Sequence, residues 1–348
     1  MFTDILLRNY KSFLNANIQL SPLTVLTGTN SAGKSSLIQA LRIMSAFTSK
    51  NGRSEMISWT DSFWQEKSNL TRDLFFDIIC SASGREYTFN VDLSGEHHMP
   101  AFDTPQYMPE FPLVQYLSAE RTGPRDIVAL QPGAESSVLS SDGSNTIDFI
   151  EKNKNGSADK HSIQVPENLR LAKNGASGLQ ENIEAWLTFI TNDVSFEYEI
   201  TSDRKHALPS FSGIKPTETG FGLSYVLPVI TALLVPASDC PVLLVENPET
   251  HLHPAAQTQI ARLIALSAAA GKQVLVETHS DHIIDGIRIA VKQGKIDCRN
   301  VRFYYFSRQD FEHETTVESP ELYQDGKLSF WPRGFFDQSF MDKLELAK

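Results

Sequence analysis

The segment Gly28-Thr29-Asn30-Ser31-Ala32-Gly33-Lys34-Ser35-Ser36 completes the pattern G-x-x-x-x-G-K-[ST] at a junction that fixes much of the surrounding architecture. Pro22 to Thr27 before it reads as a short buried strand. Lys34 to Phe47 after it reads as a helix with Leu37, Ile38, Leu41 and Ile43 on one side. A loop joining a buried strand to a helix start can turn successive N–H groups toward one point at the positive end of the helix, where phosphate oxygens bind. Gly28 and Gly33 allow backbone angles and close approaches that a β-carbon would block. Gly28, Asn30, Ser31, Ala32, Gly33, Lys34, Ser35 and Ser36 are therefore the candidate phosphate cradle. Lys34 can reach the β- and γ-phosphates, and the Ser35 hydroxyl can ligate Mg²⁺. Four specified positions arise by chance in roughly one chain in a hundred of this length, but chance does not also supply the correct flanks. The implied ligand is a nucleoside triphosphate with Mg²⁺.

A triphosphate site needs an acid near its metal, held on rigid backbone. Pro241 to Glu246 is an apolar run ending in an acid, which makes Glu246 the candidate metal-side carboxylate. The run Asn247-Pro248-Glu249-Thr250-His251-Leu252-His253-Pro254 then leads into a helix expected over about Ala255 to Ala270. A strand from Gln273 to Val276 ends in Glu277-Thr278-His279-Ser280. A histidine at a strand tip can hydrogen-bond a γ-phosphate or an attacking water, and His279 is the candidate for that sensor. His251, His253, His279 and His282 together invite a metal-site reading, but the His251/His253 spacing suits a loop and no further ligand is implied nearby. Glu218 to Ser224, before an apolar helix expected from Tyr225 to Val235, is either a second anion-binding helix start or a bare turn feeding a core helix. In the first case Gly222 and Ser224 would complete a nucleotide site in trans, on a partner subunit.

Composition narrows the remaining choices. With 31 Lys and Arg against 42 Asp and Glu, the net charge of −11 argues against a broadly basic nucleic-acid surface, although a local cationic groove stays open. Cys80, Cys240 and Cys298 lie far apart without a metal-ligand pattern and read as buried or incidental thiols. The sequence has no apolar run of membrane-spanning length and no secretory start, so a cytoplasmic protein is expected. Three regions follow from the motifs: residues 1–125 as the first part of a nucleotide-binding core, 126–215 as an inserted α+β lid, and 216–348 as the rest of the core. Short strands are expected at Ile5 to Leu7, Ile18 to Leu20 and Val114 to Ser118, with a hairpin of Leu74 to Ile79 and Tyr87 to Leu93 about Ser83-Gly84. The lid should carry a helix over Leu179 to Ile190 and a strand over Val194 to Ile200, and Pro100 to Pro112 should be an extended connection. Arg121 and Arg125 either reach a phosphate or a lid acid, or are solvated surface arginines.

These residues in this order resemble the ABC-type ATPases of the RecF, SMC and OLD-nuclease kind. The likeness is carried by Leu7 to Phe13, Leu23 to Leu37, Glu246 to Glu249 with His251 to Pro254, and Glu277 to Ser280. Gly220 to Ser224 and the tail Trp331 to Gln338 resemble a bacterial branch of predicted AAA family ATPases. The resemblance implies an α/β P-loop NTPase fold with an inserted lid, and two subunits sandwiching two ATP molecules head to tail. It implies Lys34 and Ser35 on phosphate and Mg²⁺, Glu246 as the strand acid, His279 as the switch histidine and Ser224 as the signature serine in trans. The signature here is not the usual Ser-Gly-Gly form. Asn247 stands where many of these ATPases carry the water-polarising glutamate, and an amide cannot accept a proton at neutral pH. Either hydrolysis is slow and the chain is a nucleotide-gated switch or clamp, or Glu246 or Glu249 positions the water. Relatives with a fused nuclease carry it after the ATPase, and no room for one is expected here. A role in DNA cleavage, as in phage defence, would therefore need a separate effector nuclease. A DNA-binding ATPase of the RecF kind is the remaining alternative.

Overall fold

The computed structural model describes residues 1–48, 68, 69, 71, 74–92, 111–131, 138–154, 162–308, 314–332 and 345–346. Most of the expected 100–112 connection and the tail from 333 to 338 lie outside these residues. In chain order, strands β1 (Phe2–Tyr10), β2 (Phe13–Gln19) and β3 (Leu23–Gly28) precede helix α1 (Lys34–Thr48), followed by β4 (Phe75–Ala82), β5 (Arg85–Asp92) and β6 (Val114–Leu117). Then come β7 (Val128–Ala129), α2 (Thr146–Asn153), α3 (Leu179–Thr191), β8 (Phe196–Ile200), β9 (His206–Phe211) and α4 (Phe221–Leu234). The chain continues with β10 (Val242–Glu246), α5 (Pro254–Ala269), β11 (Gln273–Glu277), α6 (Asp281–Lys292), β12 (Val301–Ser307) and β13 (Thr316–Glu318). It folds into two units. One comprises Met1–Val114, Val301–Leu322 and Leu328–Lys348, and the other Gln115–Asn300 and Tyr323–Lys327.

In the first unit β3 is buried from Leu23 to Thr27, the continuous burial expected of a strand covered on both faces. β12 runs parallel to it in register from Val301 opposite Leu23 to Phe306 opposite Gly28, with β13 antiparallel beyond. A separate antiparallel sheet has the order β2-β1-β4-β5. Its β4–β5 hairpin turns at Ser83-Gly84, both at positive φ (52° and 77°), which matches the right-handed twist of the flanking strands. β1 extends well beyond the expected Ile5 to Leu7. It pairs with β2 on one side and β4 on the other, so ladder bonds carry Asp4 and Arg8 through the strand despite their polarity. α1 packs on β3 and β4 through Leu37, Ala40, Leu41 and Met44, all fully buried.

In the second unit the strand order is β11-β10-β6, with β10 and β11 parallel, and a small antiparallel sheet has the order β7-β9-β8. Residues 126–215, expected as an inserted lid, belong to this unit together with 216–300. Their helix α3 packs against α4 and α5, and its buried Trp186 donates Nε1–H to the Leu169 carbonyl at 2.7 Å. Among the described residues no helix is long and apolar enough to cross a membrane.

Lys272, just before β11, is 2% exposed and donates to the Ala232 carbonyl at 2.7 Å near the end of α4. Burial pulls its ammonium down to about 8, with Cys240 and Asp239 opposing the shift. Between that value and the ordinary lysine value the unfolded chain binds more protons. The burial cost is therefore full below pH 8 and relieved as pH rises toward 10.5. The gap between the two values corresponds to roughly 3 kcal/mol. Lys272→Met removes that cost and loses one hydrogen bond, so it is expected to stabilise the protein by about 1–2 kcal/mol at pH 7. Urea melts between pH 7 and 10 check this: stability of the wild type should climb toward that of the variant, and a constant difference would refute the assignment.

Candidate functional site

The phosphate-loop segment sits in the first unit at the end of β3. Gly28 has φ +139°, and a β-carbon there would lie 1.9 Å from the Phe306 carbonyl oxygen, which also accepts the Thr29 N–H at 3.1 Å. Gly33 has φ +103°, and a β-carbon would come within 2.9 Å of Phe13 Cζ and Thr315 Oγ1. Thr315 supports the loop: its Oγ1–H donates to Ala32 O (2.9 Å), which leaves its oxygen to accept from the Ser12 hydroxyl (2.7 Å). Lys34 is only 3% exposed, with its ammonium folded onto its own loop, donating to Gly28 O at 3.1 Å and Thr29 O at 2.8 Å. Asn30, Ser31 and Ser35 are exposed, Ser36 is half-buried and Ala32 is buried. A backbone loop closed to β-carbons at both glycines, with a nearly buried cation at its base and exposed hydroxyls at the helix start, fits a triphosphate with Mg²⁺.

The acid segment is built in the second unit. Glu246 ends β10 opposite Glu277 in the β11 register. Its Oε2 accepts the Ala119 N–H at 3.1 Å. The chain then turns through Asn247 at φ +44°, whose N–H donates to Glu277 O at 2.8 Å and whose carbonyl accepts Thr250 Oγ1 at 2.8 Å. Glu249 is 9% exposed. Its Oε1 accepts the His279 N–H at 2.9 Å, while Oε2 is buried with no hydrogen-bond partner, as is Asn247 Oδ1. Burial raises the Glu249 carboxyl above the usual range, against the His279 N–H and the Arg121 charge, which pull it down. The His279 side chain is exposed at the end of the strand. Ser280 Oγ caps α6 by accepting the Ile283 N–H at 3.2 Å.

Sequence periodicity placed the start of α4 too late. The helix begins at Phe221 with Gly220 as its cap in extended geometry, so Gly222 and Ser224 lie within its first turn and Ser224 is not the capping residue. Gly222 is required by a close approach: a β-carbon would lie 2.5 Å from His251 O, and the His251 ring stands edge-on to Tyr225 with centroids 5.0 Å apart. Ser224 is half-buried and lines a cavity of about 220 Å³ with Arg125, Thr122 and Leu227. Of the other two histidines in the group considered for a metal, each has a local contact. His253 caps α5 through Nδ1, and His282 lies 3.6 Å from Asp281.

Arg121 is not a solvated arginine. It is 3% exposed and donates to the carbonyls of Ser118 (2.8 Å), Glu246 (2.8 Å) and Asn247 (2.6 Å). Burial lowers its guanidinium to about 10, opposed by the charges of Glu249, Tyr225, Glu246 and Tyr116. Two features escaped the sequence reading. Glu277 is 6% exposed and shares register with Glu246, a pairing signalled by the near-identical runs Val242-Leu243-Leu244-Val245-Glu246 and Val274-Leu275-Val276-Glu277. The Thr315 support had no sequence signal, because it arrives from 283 residues along the chain.

The fold matches solved ATPase heads at low identity. An Smc head bound to the C-winged helix domain of ScpA superposes with TM-score 0.55 at 13% identity, covering 92% of this chain and 98% of that one. An Smc head domain with an extended coiled coil, bound to the C-terminal domain of ScpA, derived from Pyrococcus furiosus, gives 0.51 at 12%, covering 100% and 99%. At these identities the likeness speaks for the fold alone, that of the Smc heads. No curated protein matches the sequence. Residues 296–346 match the family described as "Protein of unknown function (DUF3696)". Residues 23–285, which run from β3 and the phosphate loop through the acid strand to His279 and the start of α6, match the family described as "AAA domain, putative AbiEii toxin, Type IV TA system", and the chain belongs to that family of ATPases.

Proposed function

We propose that the chain binds Mg-ATP at Gly28–Ser36, hydrolyses it, and uses the cycle to dimerise head to tail and control a partner protein. The observation that carries this reading is the loop itself: glycines closed to a β-carbon at positions 28 and 33, enclosing the nearly buried Lys34. Lys34 exchanges its two carbonyl acceptors for the β- and γ-phosphate oxygens, a better match for an ammonium. Ser35 and Glu246 are the residues that would hold Mg²⁺, which supplies charge neutralisation at the β- and γ-phosphates. Glu249 accepts the proton of the attacking water. Its buried, unpartnered Oε2 and raised affinity for protons suit that task, and the Asn247 amide cannot perform it. His279 reports the state of the γ-phosphate, and Gly222 with Ser224 completes the nucleotide site of the second subunit.

The Smc heads named above were solved with ScpA domains, which supports a partner for this chain too. An effector nuclease in phage defence is the proposed class. A second reading, an ATP-gated clamp of slow turnover, is favoured by Asn247 in place of a glutamate. Light scattering after size exclusion, with and without Mg-ATP, together with phosphate release, separates the two. ATP-dependent dimers with turnover support the motor, and dimers turning over far below about one per minute support the clamp. An unchanged oligomeric state overturns the sandwich.

A further inference from the structure

We propose that Arg121 is a positioning residue for hydrolysis, holding the Asn247–Glu249 turn in its working geometry; this rests on the reading of Glu249 as proton acceptor. One side chain ties together three backbone carbonyls from two segments: Ser118, just after β6, and Glu246 and Asn247, at the end of β10. Its Cζ also lies 5.7 Å from the centroid of the Tyr225 ring on α4. The planar fork of a guanidinium can serve several carbonyls at fixed angles, and an ammonium cannot. Among the described residues no carboxylate pairs with Arg121 as a salt bridge, and its Nε is buried without a hydrogen-bond partner. A buried cation kept under such terms is unfavourable for stability alone, and the groups it does bind are those that shape the acid turn.

Asn247 explains why the turn needs holding. It is a non-glycine residue at φ +44°, in the left-handed region that asparagine enters more readily than most side chains but still at a cost. Its carbonyl accepts from Arg121 Nη2, from Thr250 Oγ1 and from the Thr250 N–H. Glu249 follows two residues later, and its Oε1 is fixed separately by the His279 N–H. Loss of the Arg121 fork frees the turn on one side while leaving the phosphate loop untouched.

Steady-state kinetics of Arg121→Lys test the proposal. The expected result is a fall in kcat of about 10- to 100-fold with KM for ATP changed by less than about threefold. In a Glu249→Gln background the same substitution should cost less than about twofold more, because both act through one group. Thr250→Val, nearly isosteric, removes another donor to Asn247 O and should show the same split at smaller size, which keeps the test open if Arg121→Lys misfolds. A kcat at the wild-type level in folded Arg121→Lys, a loss that adds in full to that of Glu249→Gln, or a rise in KM alone would overturn it. If Glu249→Gln itself leaves turnover intact, the proton-acceptor reading has failed instead.

Discussion

Phosphate release by the Lys34→Ala variant is expected to fall to the uncatalysed background, a loss of at least about a thousandfold, with nucleotide affinity reduced as well. Phosphoryl transfer leaves little covalent work to a protein. Positioning and charge supply the rate, so deleting a nearly buried cation removes more than a hydrogen bond would suggest. Lys34 is 3% exposed, so its charge acts in a poorly screened setting, and its ammonium also braces the loop through Gly28 O and Thr29 O. Alanine would release those carbonyls and cost about 1–3 kcal/mol of local stability, which a thermal melt would register separately from activity. Arginine should not rescue, because its planar fork does not reproduce the point charge of a lysine ammonium. Binding of a fluorescent ATP analogue, measured beside phosphate release, distinguishes a lost site from a lost reaction. Turnover retained in this variant would remove Gly28–Ser36 from the chemistry.

The first half of the nucleotide-binding architecture was legible because its signals are local. Strand, loop and helix around residues 22–48 are set by an apolar run, two glycines and a 3.6-residue period, and the observed β3 and α1 differ from that reading by a residue at their ends. The acid strand and β11 were legible for the same reason. The start of α4 was misread because Gly220-Phe221-Gly222 looks like a turn by composition. The chain nevertheless continues as helix through Gly222, where only a hydrogen atom fits beside His251 O. Arg121 could not be typed from sequence at all. Its three acceptors are backbone carbonyls, which leave no trace in side-chain identity, and two of them lie about 125 residues away. The length of β1 was likewise invisible, since it follows from having partners on both sides.

Glu249→Gln is expected to lower kcat by about a hundredfold or more, while ATP binding changes by no more than a few fold. The substitution is isosteric and keeps an acceptor for the His279 N–H, so the turn should survive and the loss should report chemistry. Three carboxylates compete for the role of proton acceptor. Glu246 already accepts the Ala119 N–H, which suits a metal ligand held in place, and Glu277 ends β11 opposite it. Glu249 combines burial, an oxygen without a hydrogen-bond partner and a carboxyl raised by desolvation, so its ionised form is a stronger base than an ordinary carboxylate. The sign of the pH effect follows. Turnover requires the ionised form, so kcat should fall on acidification through a value above the ordinary carboxylate range, and that limb should vanish in the glutamine variant. Adding Asn247→Glu to Glu249→Gln would then place a carboxylate where the resembling ATPases carry theirs, and partial recovery is the expected result. Unchanged turnover in Glu249→Gln would exclude Glu249 and shift the assignment to Glu246, whereas loss of ATP binding would mean that the residue serves the fold of the turn.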